Sequence, residues 1–251
     1  MPSAIINELF VSLQGEGPRV GERHIFVRFQ GCDQRCCFCD TPASIASHPD
    51  TSQHSFQAQI APAYPPTYEI LQNPVTIERL TGLCARLSLR GRARTTVSLT
   101  GGEPLLQSDF LAVWLSEAGQ DYRFYLETNG IRYDDLKKIV HLIDHVSMDM
   151  KLPSSTQMRP FWDEHRRFLD AASGGHVTVK AVITRATVTS DVLTAARIIA
   201  EHDDQIPFVL QPAGGIWAPE LKSLMELQDA SLALLNDVRV IPQMHKMLKV
   251  P

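Results

Sequence analysis

The run Ile25-Phe-Val-Arg-Phe-Gln-Gly-Cys32-Asp-Gln-Arg-Cys36-Cys37-Phe38-Cys39-Asp40-Thr41 joins a predicted strand directly to a cluster of thiols, and this junction decides the fold. Ile25–Phe29 is β-branched and aromatic, as strands are. The loop after it carries cysteines at Cys32-x3-Cys36-x2-Cys39. Thiolates so clustered suit an iron–sulfur cluster or zinc, and both are usually closed by four protein ligands. A fourth is not evident here. Cys37 adjoins Cys36 and projects the other way. Cys84 has Ile77, Leu80 and Leu87 at helical spacing around it, which makes it a small core residue. A cubane on Cys32, Cys36 and Cys39 leaves one iron open to an exogenous ligand. A structural zinc site completed by His24 or His48 is the alternative.

Working outward, further strands are predicted at Thr96–Leu99, Phe124–Leu126, Val146–Met148, Val177–Ile183 and Phe208–Leu210. Between them lie helical patterns. Leu136, Ile139, Val140 and Ile143 share one face, as do Val192, Ala195, Ala196 and Ile199, with Ser190 placed to cap. Ser108 is placed to cap a helix with Leu111, Trp114, Leu115 and Ala118 inward, ending at Gly119. Alternating β and α units imply a parallel sheet curled by right-handed crossovers. Six units are too few for a full eight-stranded barrel, so the expected fold is α/β, a partial (β/α)6 TIM-like barrel, in a single domain over 1–251. Pro42–Val75 interrupts the rhythm with six of the sixteen prolines and no lysine or arginine. Such an insertion is a lid or disordered, and disorder is the expectation.

Hydrophobic residues at 44% and charged residues at 21% describe an ordinary globular chain, long enough to bury a core. A formal net charge of -4 gives no general pull toward nucleic acid or an anionic membrane. No apolar run approaches a membrane span, and the start MPSAIINELF lacks the pattern of an export signal. Clustered rather than dispersed cysteines point to the reducing cytoplasm. The basic stretch Arg86, Arg90, Arg92, Arg94 is most simply a solvated helix end; docking of an acidic electron donor such as flavodoxin is the other reading.

The CxxxCxxC loop resembles the radical S-adenosylmethionine superfamily, and Thr100-Gly101-Gly102-Glu103-Pro104, after the next strand, resembles that superfamily's GGE motif. Within it, the flanks resemble the 7-carboxy-7-deazaguanine synthase family nearly end to end. The shared segments are Phe10-Val-Ser-Leu-Gln-Gly-Glu-Gly17, Phe26-Val-Arg-Phe-Gln-Gly-Cys32, Cys39-Asp40-Thr41, Leu126-Glu-Thr-Asn-Gly130, Phe208-Val-Leu-Gln-Pro212 and Ile241-Pro-Gln-Met-His245. One departure stands out: Asp149-Met-Lys151 replaces the family's Ser-Pro-Lys and looks nearer the Asp-x-Lys of glycyl-radical activases. The alternatives are such an activase and a non-catalytic metal-binding module.

The resemblance implies a fold of the radical SAM type and one [4Fe–4S] cluster on Cys32, Cys36 and Cys39. It implies a reaction in which a 5′-deoxyadenosyl radical takes hydrogen from 6-carboxy-5,6,7,8-tetrahydropterin, with ring contraction and loss of ammonia. It implies S-adenosylmethionine contacts from Phe38, Asp40, Gly102, Glu103, Glu127, Asp149, Lys151 and Gln211, where Glu103 or a carbonyl accepts from the methionine ammonium. Substrate contacts are implied for Leu13, Gln14, Gly15, Glu16, Arg28, Thr100, His245 and the Pro251 carboxylate. Thr41 is the implied Mg²⁺ ligand, a flavodoxin- or ferredoxin-type protein the reductant, and a homodimer the assembly.

Overall fold

The computed structural model describes residues 2–45, 53–88 and 93–250. His48, Arg90, Arg92 and Pro251, singled out above, lie outside the described residues. The strands are β1 (Ser3–Ala4), β2 (Ile6–Leu13), β3 (Arg23–Phe29), β4 (Ser55–Gln59), β5 (Tyr68–Gln72), β6 (Val75–Thr76), β7 (Thr95–Gly101), β8 (Tyr122–Thr128), β9 (His145–Asp149), β10 (Val177–Ile183), β11 (Phe208–Pro212) and β12 (Val238–Val240). Among the described residues, ten of them form one sheet in the order β12-β11-β10-β9-β8-β7-β3-β2-β4-β5. All pairings from β3 to β12 are parallel. The six strands predicted from sequence lie side by side in this run, in a mixed α/β fold. β12 extends the run, and β2 joins it antiparallel to β3.

The helices are α1 (Ile77–Leu87), α2 (Ser108–Ala118), α3 (Tyr133–Ile139), α4 (Pro153–Thr156), α5 (Trp162–Ala171), α6 (Thr189–His202), α7 (Leu221–Leu232) and α8 (Met244–Leu248). Two capping expectations are corrected. Ser108 is the first helical residue of α2 and its hydroxyl donates to Asp135 Oδ1 at 2.8 Å, while Ser190 lies inside the first turn of α6. Among the described residues no helix is long and apolar enough to cross a membrane.

The period of two along each strand divides the sheet's faces. Val27, Phe29, Val97, Leu99, Phe124, Leu126, Val146, Met148, Val179 and Ala181 belong to one core with Leu83, Leu111, Leu136, Phe168, Val192 and Leu224 of the helices. The opposite face carries His24, Arg28, Ser98, Thr100, Tyr125, Glu127, Ser147, Asp149, Thr178 and Lys180. Ladder register sets these side by side, Arg28 with Thr100 and Asp149 with Lys180.

Within the Pro42–Val75 insertion the structure differs from the expectation of disorder. β4 and β5 pair antiparallel, and β4 runs parallel to β2. Phe56 and Ala58 are buried in the core. Asn73 takes Ile6 N–H on its Oδ1 at 3.1 Å and returns Nδ2–H to Ile6 O at 2.8 Å, which closes the hairpin's end onto β2. One apolar face and a backbone-mimicking asparagine are enough to order this hairpin despite the flanking prolines.

Candidate active site

A cavity of about 680 Å³ opens at the carboxyl ends of the strands, where sheets of parallel strands gather their chemistry. Its walls come from the last same-face residue of successive strands: Arg28, Thr100, Glu127, Asp149 and Gln211. The cluster loop supplies Cys32, Cys36, Phe38, Cys39, Asp40 and Thr41; the turn after β2 supplies Leu13, Gln14, Gly15 and Glu16. Gly102, Lys151 and His245 complete the expected residues on the lining. Residues far apart in the chain thus meet on one cavity lining.

The three loop cysteines are half-buried free thiols. Burial pushes the Cys32 thiol up to about 12 and raises Cys36, which Lys151 partly offsets. Such thiols stay protonated until a metal displaces the proton. Cys37 also reaches the cavity, but its Sγ donates to Ser155 O at 3.3 Å. Cys84 is fully buried in the core. His24, the alternative zinc ligand, bonds Ser98 Oγ at 2.8 Å and does not line the cavity. Among the described residues no three His, Cys, Asp or Glu side chains converge as a single metal ion requires. Three soft thiols on one wall fit a cubane, whose ligands sit further apart than those of one ion.

The Gly-Gly turn is explained by packing. A Cβ at Gly101, where φ is +130°, would lie 2.2 Å from Phe29 O; one at Gly102 would lie 2.1 Å from Gly31 O. Only glycines let this turn press against the chain entering the cluster loop. Glu103 is fully buried. It does not line the cavity, and its carboxylate accepts from Leu105 N–H at 3.0 Å, Thr128 Oγ1 at 2.9 Å and Asn129 N–H at 2.8 Å. Burial raises it to about 7 against these donors. These three bonds let Glu103 brace the turn.

Several expected contacts are already engaged with one another. Glu127 accepts from Gln14 Nε2 at 2.7 Å and Thr100 Oγ1 at 2.6 Å. Arg28 donates Nε–H to Glu8 at 2.8 Å, with its guanidinium 5.6 Å from the Phe10 ring centroid. Thr41 precedes the short turn Pro42–Ser44 without capping it, and its hydroxyl lies 3.8 Å from Cys39 Sγ. Met244 N–H donates to Gly15 O at 2.9 Å, and a Cβ at Gly15 would lie 2.0 Å from His245 Nδ1. That glycine therefore admits the histidine.

Sequence reasoning missed Lys180, Gln243 and Lys246. Lys180 Nζ lies 2.5 Å from Glu16 Oε2 and 3.2 Å from Asp149 Oδ2, while Gln243 donates to Glu16 at 2.7 Å and to Asp40 at 3.2 Å. Lys246 bonds Asp40 at 2.9 Å. Burial would raise the Asp40 carboxyl, but Lys246 and Gln243 hold it down at about 2. A lysine within an apolar strand was the available signal for Lys180; the others carry none, lying more than two hundred positions from their partners. Two buried acceptors on the lining, Asp149 Oδ1 and Gln211 Oε1, have no partner among the described residues. Buried polar atoms are normally satisfied, which sets these two acceptors apart from the rest of the lining.

Comparison with known proteins agrees with this geometry. The model of the Radical SAM superfamily matches residues 26–202. The 7-carboxy-7-deazaguanine synthase of Geobacter sulfurreducens is 35% identical over 253 residues, covering 98% of each chain. That of Methanopyrus kandleri is 36% identical, covering 98% of this chain and 94% of its own. The crystal structure of QueE from Escherichia coli superposes with a TM-score of 0.55 at 19% identity, over 97% of this chain and 95% of that one, a likeness of fold. With its thiol triplet, its Gly-Gly turn and near-complete coverage by these relatives, the chain belongs to the 7-carboxy-7-deazaguanine synthase family of the radical SAM superfamily.

Proposed function

We propose that this chain is a carbon–nitrogen lyase that converts 6-carboxy-5,6,7,8-tetrahydropterin to 7-carboxy-7-deazaguanine with loss of ammonia. The observation that carries the reading is one cavity with three thiols on one wall and Gln14, Glu16, Arg28 and His245 together on its lining. A [4Fe–4S] cluster held by Cys32, Cys36 and Cys39 would, together with S-adenosylmethionine, supply the radical chemistry. The protein binds and orients. Arg28, fixed through Nε by Glu8, keeps its terminal nitrogens for a bidentate hold on the substrate carboxylate. Glu16 and Gln14 read the donor edge of the pterin ring, and a buried polar pairing of this kind discriminates strongly. Thr100 and His245 bound the same space.

The orphaned acceptors Asp149 Oδ1 and Gln211 Oε1 suit hydroxyl and amino donors of S-adenosylmethionine, with Phe38, Asp40, Gly102, Glu127 and Lys151 around it. Thr41 offers Mg²⁺ one hard oxygen, acceptable for an ion that keeps several waters. The working assembly is a cytoplasmic homodimer reduced by a flavodoxin- or ferredoxin-type partner.

Anaerobic incubation of the reduced, cluster-loaded protein with S-adenosylmethionine and the carboxypterin tests the reading. 7-Carboxy-7-deazaguanine is the expected product. Formation of 5′-deoxyadenosine without it would overturn the assignment.

A further inference from the structure

Lys180 is a cation inside an apolar strand, Val177-Thr-Val-Lys180-Ala-Val-Ile183, and the proposed reaction gives it no task. It is 9% exposed. A desolvated ammonium is costly unless anions compensate it, and two do. Glu16 reaches it from the turn after β2, and Asp149 stands directly beside it in the ladder at the end of β9. Asp149 in turn holds Lys151 at 3.0 Å.

The lone pairs of Glu16 can be counted. Oε1 accepts from Gln211 Nε2 at 3.1 Å and Gln243 Nε2 at 2.7 Å, and Oε2 accepts from Lys180 at 2.5 Å. An ionised carboxylate has about four acceptor sites, so a single one at Oε2 stays open to the cavity. Lys180 determines where that site points. It also ties the carboxylate to Asp149, whose Oδ1 is itself an unfilled acceptor on the same lining.

We infer that Lys180 is a positioning residue: its shared ammonium locks Glu16 to Asp149. The acceptor that meets the substrate ring and the strand end that meets the nucleoside cofactor are thereby held in one register. The inference rests on the function proposed above and adds a residue to the reading of its substrate.

Charge makes it testable. Burial pushes the Glu16 carboxyl upward, and Lys180 with the Gln243 bond outweighs burial and holds it below the usual carboxylate value. The other charges about this pair are Asp40 of the cluster loop, held by Lys246, then Glu127 of β8, Asp149 of β9 and Lys151. His245 of α8 packs against Gly15. With Lys180 neutralised, burial and Asp40 act against the Glu16 anion. The carboxyl then takes up a proton toward neutrality, and its open acceptor is lost as pH falls.

The test compares cluster-loaded wild type with Lys180→Met and Lys180→Arg. Equilibrium dialysis gives the dissociation constant of 6-carboxypterin, the oxidised ring that does not turn over, between about pH 5.5 and about 7.5. KM and kcat for the tetrahydropterin are measured over the same range. Lys180→Met is expected to weaken pterin binding about tenfold or more, to raise KM more than it lowers kcat, and to widen its deficit relative to wild type as pH falls. Taking the ratio to wild type cancels titration of the ligand and of groups common to both proteins. Lys180→Arg is expected to restore most of the affinity and a constant ratio. Unchanged affinity in Lys180→Met, or equal losses in both variants at a constant ratio, overturns the inference, because Lys180 would then only fill space. If Lys180→Met fails to hold the cluster, Lys180→Gln replaces it, and a constant ratio there overturns the inference equally. A wild type that binds the pterin without converting it removes the proposed reaction and leaves this inference standing.

Discussion

The polar face of the sheet has two ends that solve the burial of polar groups in opposite ways. At the amino ends of the strands, His24 bonds Ser98 at 2.8 Å and His145 bonds Thr178 at 3.0 Å, with the Tyr125 ring stacked 5.0 Å from His145. Burial lowers both histidines to about 4, against the Glu22 carboxylate 3.5 Å from His24 Nε2. At the carboxyl ends, Lys151, Asp149, Lys180 and Glu16 form a chain of alternating charge, and two acceptors have no partner. A closed, neutral network specifies a fold; a charged, incomplete one is preorganised for something absent. Glu103, next to the rim in sequence, takes three donors from the turn and from the end of β8.

The largest test of this division uses two cysteines. Cys32→Ala at the rim is expected to abolish cluster binding and product formation while the chain stays folded, read by iron content and visible absorbance. Cys84→Ala, deep in the core, is expected to keep both and to cost about 1 kcal/mol in stability. A Cys32→Ala protein with full iron, or a Cys84→Ala protein without it, would break the division.

Acid probes the floor next. A histidine whose folded pKa lies near 4, below its unfolded 6.5, binds fewer protons folded than unfolded between those values. Stability therefore rises with pH across that window and is lost as pH falls through it. Glu103, raised from 4.5 to about 7, has the opposite sign and loses stability as pH rises over its window. With His165 also lowered to about 4, three histidines against this raised carboxyl leave acid destabilising, His24 alone contributing on the order of 3 kcal/mol. Urea midpoints from about pH 7 to about 4.5 should fall in wild type and fall less in the double variant His24→Phe, Ser98→Ala. Comparing the two at equal cluster content removes the cluster's own acid lability, and parallel curves would show that the floor does not titrate.

The rim was more legible in the sequence than what braces it. Strands such as Val177–Ile183 announce themselves by composition, and loop motifs fix which residues follow them. Lys180 broke an apolar strand just as Arg28 did, yet only Arg28 was assigned a partner in advance. Gln243 precedes and Lys246 lies in the short helix α8, with no pattern linking them to Glu16 or Asp40. The β4–β5 hairpin was hidden because Tyr68–Gln72 is an edge strand, mostly exposed, without the alternation that marks a half-buried one. For Glu103 a motif fixes position along the chain, and only the fold shows that Thr128 and Asn129 donate to it.

The smallest expected effect is also the sharpest comparison, because it makes one chemical change at each end. Thr178→Val and Thr100→Val each replace a hydroxyl by a methyl of nearly the same shape. Thr178 gives up a neutral hydrogen bond to His145, worth about 1 kcal/mol, and should lower the urea midpoint with kcat/KM untouched. Thr100 gives up its 2.6 Å bond to Glu127, which the Gln14 amide also holds. Freed on one side, Glu127 can swing within the cavity. Here kcat/KM should fall about tenfold with little change in midpoint, since hydrogen bonds to charged groups are worth about 1.5–3 kcal/mol. If both variants lose stability and neither loses activity, the charged rim is part of the scaffold, and its unfilled acceptors no longer point to a ligand.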